Sequence, residues 1–142
     1  MVLAGGAFDI LHQGHIDFLR DIKALGDILV IAIKTDVEVR SYKDINRPIQ
    51  NEDVRAAIID AIRYVDYTVI SPESGSGFGP ESDPPRLAIA RTLHPDIFVT
   101  YNTRWEARRE TFESLGIELK IVAIDKINST TSIIERIRNP RA

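Results

Sequence analysis

The stretch Gly5-Gly-Ala-Phe-Asp-Ile-Leu-His-Gln-Gly-His15 gathers, within one turn of chain, residue types that bind and polarise phosphate. Two glycines end a short apolar run, and His-x-Gly-His follows where a helix should begin. Glycine lets backbone approach an anion closely, and the unpaired N–H groups of a helix start point at it. His12 and His15, two of the chain's three histidines, would stand beside that anion with ring N–H donors to offer. A pair of structural histidines is the alternative reading, and their confinement to one glycine-punctuated turn favours phosphate chemistry. Asp9 has two readings, capping nearby backbone N–H groups or helping to hold a phosphate-bridged Mg²⁺, with the capping role preferred. Phe8 reads as core.

Three further groups could reach an anion. Lys43 and Arg47 lie in the polar segment from Arg40 to Gln50. Arg55 falls in the first turn of a helix that Asn51 would cap. A cation there opposes the helix dipole, so anion binding explains its position better than helix stability does. Ser129-Thr-Thr-Ser132 opens the last helix, with Ser129 as N-cap and its neighbours forming a second anion site.

The elements that must position these groups alternate between apolar runs and helical patterns, which implies βαβ units and a parallel sheet. Strands are expected at 1–4, 28–33, 68–70, 97–100 and 119–124. The run Ile28-Leu-Val-Ile-Ala-Ile33 is continuously apolar, as for a strand covered on both faces. Helices are expected at 15–25, closed by Gly26, then after Asn51, at 85–93, at 105–115 and at 130–138. The pattern predicts one doubly wound α/β domain over residues 1–142, with ligands at the carboxyl ends of the strands. Ser71 to Pro85, rich in Ser, Gly and Pro, reads as a long loop, either a substrate lid or a surface connector.

The chain of 142 residues carries a formal charge of −3, which argues against nonspecific nucleic-acid binding. No apolar run approaches membrane-spanning length, and the first residues show no signal-peptide pattern. Without cysteine there are no disulfides or thiolate metal sites. A cytoplasmic setting is expected.

Gly6-Ala-Phe-Asp-Ile-Leu-His-Gln-Gly-His15 resembles the G-x-F-D-x-x-H-x-G-H signature of the cytidylyltransferase-like nucleotidyltransferases. That superfamily includes heptose-phosphate adenylyltransferase of lipopolysaccharide core synthesis, glycerol-3-phosphate cytidylyltransferase, archaeal FAD synthetase and phosphopantetheine adenylyltransferase. Lys43-Asp-Ile-Asn-Arg-Pro48, Arg55 with Ile62-Arg-Tyr-Val-Asp66, and Ser129-Thr-Thr-Ser-Ile-Ile134 follow in the family's order. The resemblance implies a five-stranded sheet of order 3-2-1-4-5 with helices on both faces. It also implies attack by an acceptor phosphate on the α-phosphorus of a nucleoside triphosphate, with pyrophosphate released and Mg²⁺ accompanying the nucleotide. It assigns His12, His15 and Lys43 to catalysis. Gly6, Ala7, Phe8, Asp9, Gly14, Arg55, Asn102, Ser129, Thr130 and Thr131 would line the nucleotide, and Arg47 would meet the acceptor phosphate. Dimerisation, common in relatives, is a further expectation, with no membrane or nucleic-acid partner.

The Lys-x-x-x-Arg-Pro segment and Ala7 fit the heptose branch best, so ATP and a sugar phosphate are the favoured substrates. CTP with glycerol 3-phosphate, ATP with FMN, and a non-catalytic nucleotide-binding relative are the alternatives. The chain departs from its relatives at Thr100-Tyr-Asn-Thr-Arg-Trp105, where they carry G-D-D-W or G-G-D-Y. It departs again at Ile124, where the glycerol-phosphate branch has an arginine and only Lys126 lies near.

Overall fold

The computed structural model describes residues 1–73, 83–124 and 129–140. Each apolar run expected as a strand is one: β1 (Val2–Gly6), β2 (Leu29–Ile33), β3 (Tyr67–Ile70), β4 (Ile97–Thr100) and β5 (Glu118–Ile121). All neighbours pair in parallel, and the order is β3-β2-β1-β4-β5, as the resemblance implied. β1 lies at the centre, where the strand order reverses, so the crevice between β1 and β4 at their carboxyl ends is where such sheets bind ligands.

The helices are α1 (Gln13–Lys23), α2 (Asp36–Tyr42), α3 (Glu52–Asp60), α4 (Pro85–Leu93), α5 (Arg109–Ser114) and α6 (Thr130–Arg138). Two apolar layers separate them. Phe18, Leu19 and Ile22 of α1 and Ile59 of α3 pack on Ala4, Ile31, Ile33 and Val99. On the opposite face Leu87 and Ala90 of α4, with Trp105 and Phe112, pack on Leu3, Val30, Ala32 and Phe98. Every residue of β2 is buried, which is why its sequence shows no polar alternation.

Several boundaries differ from those the sequence predicts. α1 starts two residues earlier and ends at Lys23, ahead of Gly26. Residues expected as one helix from Trp105 divide into a tight 3-10 turn (Thr103–Arg108) and α5. Asn102 starts that turn, its side chain accepting from the Arg104 N–H at 3.0 Å. The sequence reading did not include α2, which Thr35 caps by accepting the Glu38 N–H at 3.2 Å. Most of the expected Ser71–Pro85 loop, and Lys126, lie outside the described residues.

Candidate active site

The turn after β1 leads directly into α1, whose first residues present His12 and His15. Their rings stack, with centroids 3.8 Å apart and an interplanar angle of 23°. His15 also lies 5.2 Å from the Phe8 ring, which is buried as expected. Phe8 has a positive φ of 49°, a conformation uncommon outside glycine, so the backbone bends sharply just before the histidines. Burial, and then the neighbouring His12, pull the His15 pKa down from 6.5 to about 4. His12 is lowered by burial as well. Both rings are therefore neutral at physiological pH. His15 Nδ1 accepts from the His12 backbone N–H at 3.4 Å, which leaves the His15 proton on Nε2 as a donor.

The start of α6 meets this turn. Ser129 caps it, accepting from the Ser132 N–H at 3.0 Å, while the Thr130 hydroxyl donates to the Ile10 carbonyl at 3.3 Å. The two helix starts that the sequence marked as anion sites, more than a hundred positions apart, are thus brought together, with Gly14 in the first turn of α1 and Thr131 exposed in that of α6.

Three charged residues of the expected site, Asp9, Arg47 and Arg55, are engaged within the protein. Asp9 is buried and caps a distant segment instead of its own turn. Its carboxylate accepts from the Ile49 and Gln50 N–H groups and from Arg47 Nε, all at 2.9–3.0 Å. With both oxygens engaged, Asp9 does not fit a magnesium ligand, and among the described residues no three His, Asp or Glu side chains gather as a metal site. Arg47 is the counter-ion of Asp9 and is only 9% exposed, so it is not presented to an acceptor phosphate. Arg55 is wholly buried. Its three guanidinium nitrogens donate to the Gln50 carbonyl, the Ala7 carbonyl and Asp36 Oδ1 at 2.7–2.9 Å. The unfavourable position on the helix dipole is real, and what compensates it is protein oxygen, not phosphate.

The glycines also admit neighbouring side chains. A Cβ on Gly5 would stand 2.3 Å from Arg86 Cδ, and one on Gly6 would stand 2.9 Å from the Phe8 ring. They make room for side chains of this protein. Lys43 is exposed at the C-terminus of α2, its Nζ 5.8 Å from the Tyr42 ring centroid. Asn102 is exposed and borders the crevice.

That crevice includes residues the sequence reading missed. It is lined by Gly5 and Gly6, by Lys34 just past β2, by Arg86 from α4, and by Tyr101 and Asn102. Arg86 is buried and bidentate to Glu38, at 2.6 and 2.8 Å. Lys34 Nζ donates to the Tyr42 hydroxyl at 3.2 Å and lies 3.8 Å from Glu38 Oε1. Burial first, then Arg86, lowers the Lys34 pKa from 10.5 to about 8. Two signals were present in the sequence: a lysine immediately after a strand beside the switch point, and a second arginine in the first turn of a helix.

Comparison with known proteins agrees with this geometry. The cytidylyltransferase-like family model matches residues 3–136. The bifunctional protein HldE of Syntrophotalea carbinolica is 35% identical over 140 residues, covering 96% of this chain and 26% of that protein. HldE of Campylobacter fetus is 35% identical over 138 residues, covering 97% of this chain and 28% of that protein. The chain thus spans about a quarter of the length of these relatives. A lipopolysaccharide core biosynthesis protein from Thermoplasma volcanium, known as a crystal structure, has a TM-score of 0.70 at 34% identity, covering 89% of this chain and 97% of that one. With the family model spanning residues 3–136, both helix starts included, the chain belongs to the cytidylyltransferase-like family.

Proposed function

We propose that this chain is a nucleotidyltransferase that moves AMP from ATP to the phosphate of a sugar phosphate and releases pyrophosphate. An acceptor phosphate oxygen forms a bond to the α-phosphorus. The bond from that phosphorus to the α,β-bridging oxygen breaks, and its electron pair leaves with pyrophosphate. Such transfers need charge stabilisation and alignment more than covalent help. The phosphate nucleophile is already ionised, so no general base is required.

The stacked, neutral histidine pair at the start of α1, against the start of α6, is the observation that carries this reading. His15 Nε2–H and the α1 N–H groups around Gly14 would stabilise the triphosphate, with Lys43 on its open side. Thr130 and Thr131 would reach its outer phosphates, and Asn102 with Tyr101 would border the base. Mg²⁺ would travel with ATP on phosphate oxygens, since no carboxylate of the histidine turn is free. The similarity to HldE and to the Thermoplasma protein supports a sugar phosphate as acceptor and a role in lipopolysaccharide core synthesis.

Among the described residues no helix is long and apolar enough to cross a membrane. Cytoplasmic work on small phosphorylated substrates is the setting this reading implies. A homodimer would complete it, covering some of the exposed apolar side chains such as Val37, Ile45, Ile49 and Val54.

Calorimetric titration of ATP and CTP, each with Mg²⁺, followed by pyrophosphate release with a panel of sugar 1-phosphates, tests the proposal. ATP preference is expected, and His15→Ala should lower turnover about 10²-fold or more, as loss of a preorganised donor does elsewhere. CTP preference would move the acceptor to a polyol phosphate. An unchanged His15→Ala rate would overturn the histidine's role.

A further inference from the structure

We infer that Lys34, backed by the Arg86–Glu38 pair, forms the subsite that holds the acceptor's phosphate dianion on the β2 side of the crevice. This rests on the nucleotidyl-transfer reading above and adds to it the group that grips the acceptor. Four observations converge on it.

The first is elimination. Of the cations that the resemblance assigned to phosphate, Arg47 is closed in an ion pair with Asp9, Arg55 has every guanidinium nitrogen on a protein oxygen, and Lys43 is exposed outside the lining of the crevice. A phosphate dianion must find its partners elsewhere.

The second is position. Gly6 of β1 pairs with Ile33 of β2, and the Lys34 N–H donates to the Gly6 carbonyl at 3.0 Å. Lys34 therefore leaves the sheet beside the residue that starts the histidine turn. It lines the same crevice as Gly5, Gly6 and Tyr101.

The third is charge balance. Lys34 and Arg86 share a single carboxylate, and Glu38 is bidentate to Arg86 while standing 3.8 Å from Lys34. The closer partner of Lys34 is the neutral Tyr42 hydroxyl, and its Nζ lies 4.4 Å over that ring's centroid. The crevice keeps one positive charge in excess. Burial works against that charge, which is why the pKa is pulled toward 8. A half-buried cation short of a counter-ion is less favourable than a solvated one in the free protein, and a bound dianion would relieve it.

The fourth is accommodation. Arg86 enters over Gly5, where any side chain would collide with its Cδ, and it sits in the first turn of α4 against the dipole. Two local costs are accepted to bring a guanidinium to this crevice. Held by Glu38, that guanidinium keeps Lys34 from folding fully onto the carboxylate. Tyr42, Glu38, Arg86 and Lys43 are the charged or titratable groups bearing on Lys34.

The test reads Lys34 itself. In the full chain with ¹³C-dimethylated lysines, the Lys34 signal is identified by its loss in Lys34→Met, and inorganic phosphate is titrated in. The Lys34 signal should shift saturably, and its titration midpoint should rise from about 8 toward the ordinary lysine value of 10.5. Calorimetry should show phosphate binding weakened about tenfold in Lys34→Met, largely restored in Lys34→Arg, with ATP affinity little changed. A Lys34 signal that ignores phosphate, whether or not the histidine rings respond, overturns the subsite. Because the readout needs no turnover, a responsive Lys34 in a protein that releases no pyrophosphate would retire the transferase reading and leave the subsite standing.

Discussion

Lys34 and His15 share a physical situation, a basic group whose charged form burial disfavours, and this makes both dependent on what binds. For Lys34 the consequence for stability has a definite sign. Its folded pKa of about 8 lies below the ordinary 10.5, so between those values the unfolded chain binds more protons and the folded protein gains stability as pH rises. Below that window the penalty is constant. Lys34→Met keeps the stem and removes the charge. It should therefore be more stable than the wild type at neutral pH, with the advantage shrinking as pH climbs from about 8 to 10.5. Urea unfolding at a series of pH values measures this. A variant less stable at neutral pH would make Lys34 a structural residue. The sequence marked the histidines because their glycine-punctuated spacing is local. For Lys34 and Arg86 it offered only weak signals, a lysine just past a strand and an arginine in a helix's first turn, because their partners Glu38 and Tyr42 of α2 and Gly5 of β1 arrive from two other elements.

At the scale of elements, the segment after α2 is held by carboxylates reaching across the fold. Asp9 locks residues 47–50 from forty positions away, while Arg55 ties α3 to Asp36 and to the Ala7 carbonyl of the histidine turn. Glu52 adds a bond to the Asp36 N–H at the start of α2. This scaffold is what the sequence concealed. Arg47 and Arg55 have the residue type and placement of phosphate ligands, and only the folded chain reveals that each has a protein oxygen to meet. α2 was overlooked for a related reason. Seven residues give too short a period to read, and its cap, Thr35, lies only two residues past the strand end. By contrast α4, β4 and α6, bounded by Pro85, by an apolar run and by Ser129, match their expected limits. Asp9→Asn should destabilise the protein by about 3 kcal/mol, the cost of leaving Arg47 as an unpaired buried charge, measured by urea unfolding. A metal-ligand role would instead lower activity with stability unchanged.

Across the whole molecule, a chain of net charge −3 keeps a lysine and a carboxylate-paired arginine at the crevice beside the sheet's reversal point. The strand order places β1 between β2 and β4, so the histidine turn that leaves β1 and Lys34 that leaves β2 stand on neighbouring strands, where a triphosphate and an acceptor would lie side by side. The order came from a family resemblance, since alternation of runs alone fixes only the fold class. Phosphorus NMR of the full chain with Mg·ATP and a sugar 1-phosphate panel follows the transfer itself. ATP and one sugar phosphate should disappear together, in equal amounts, as pyrophosphate and a new diphosphate-bridged product appear. Release of orthophosphate, or ATP bound but unconsumed with every acceptor, would contradict that transfer.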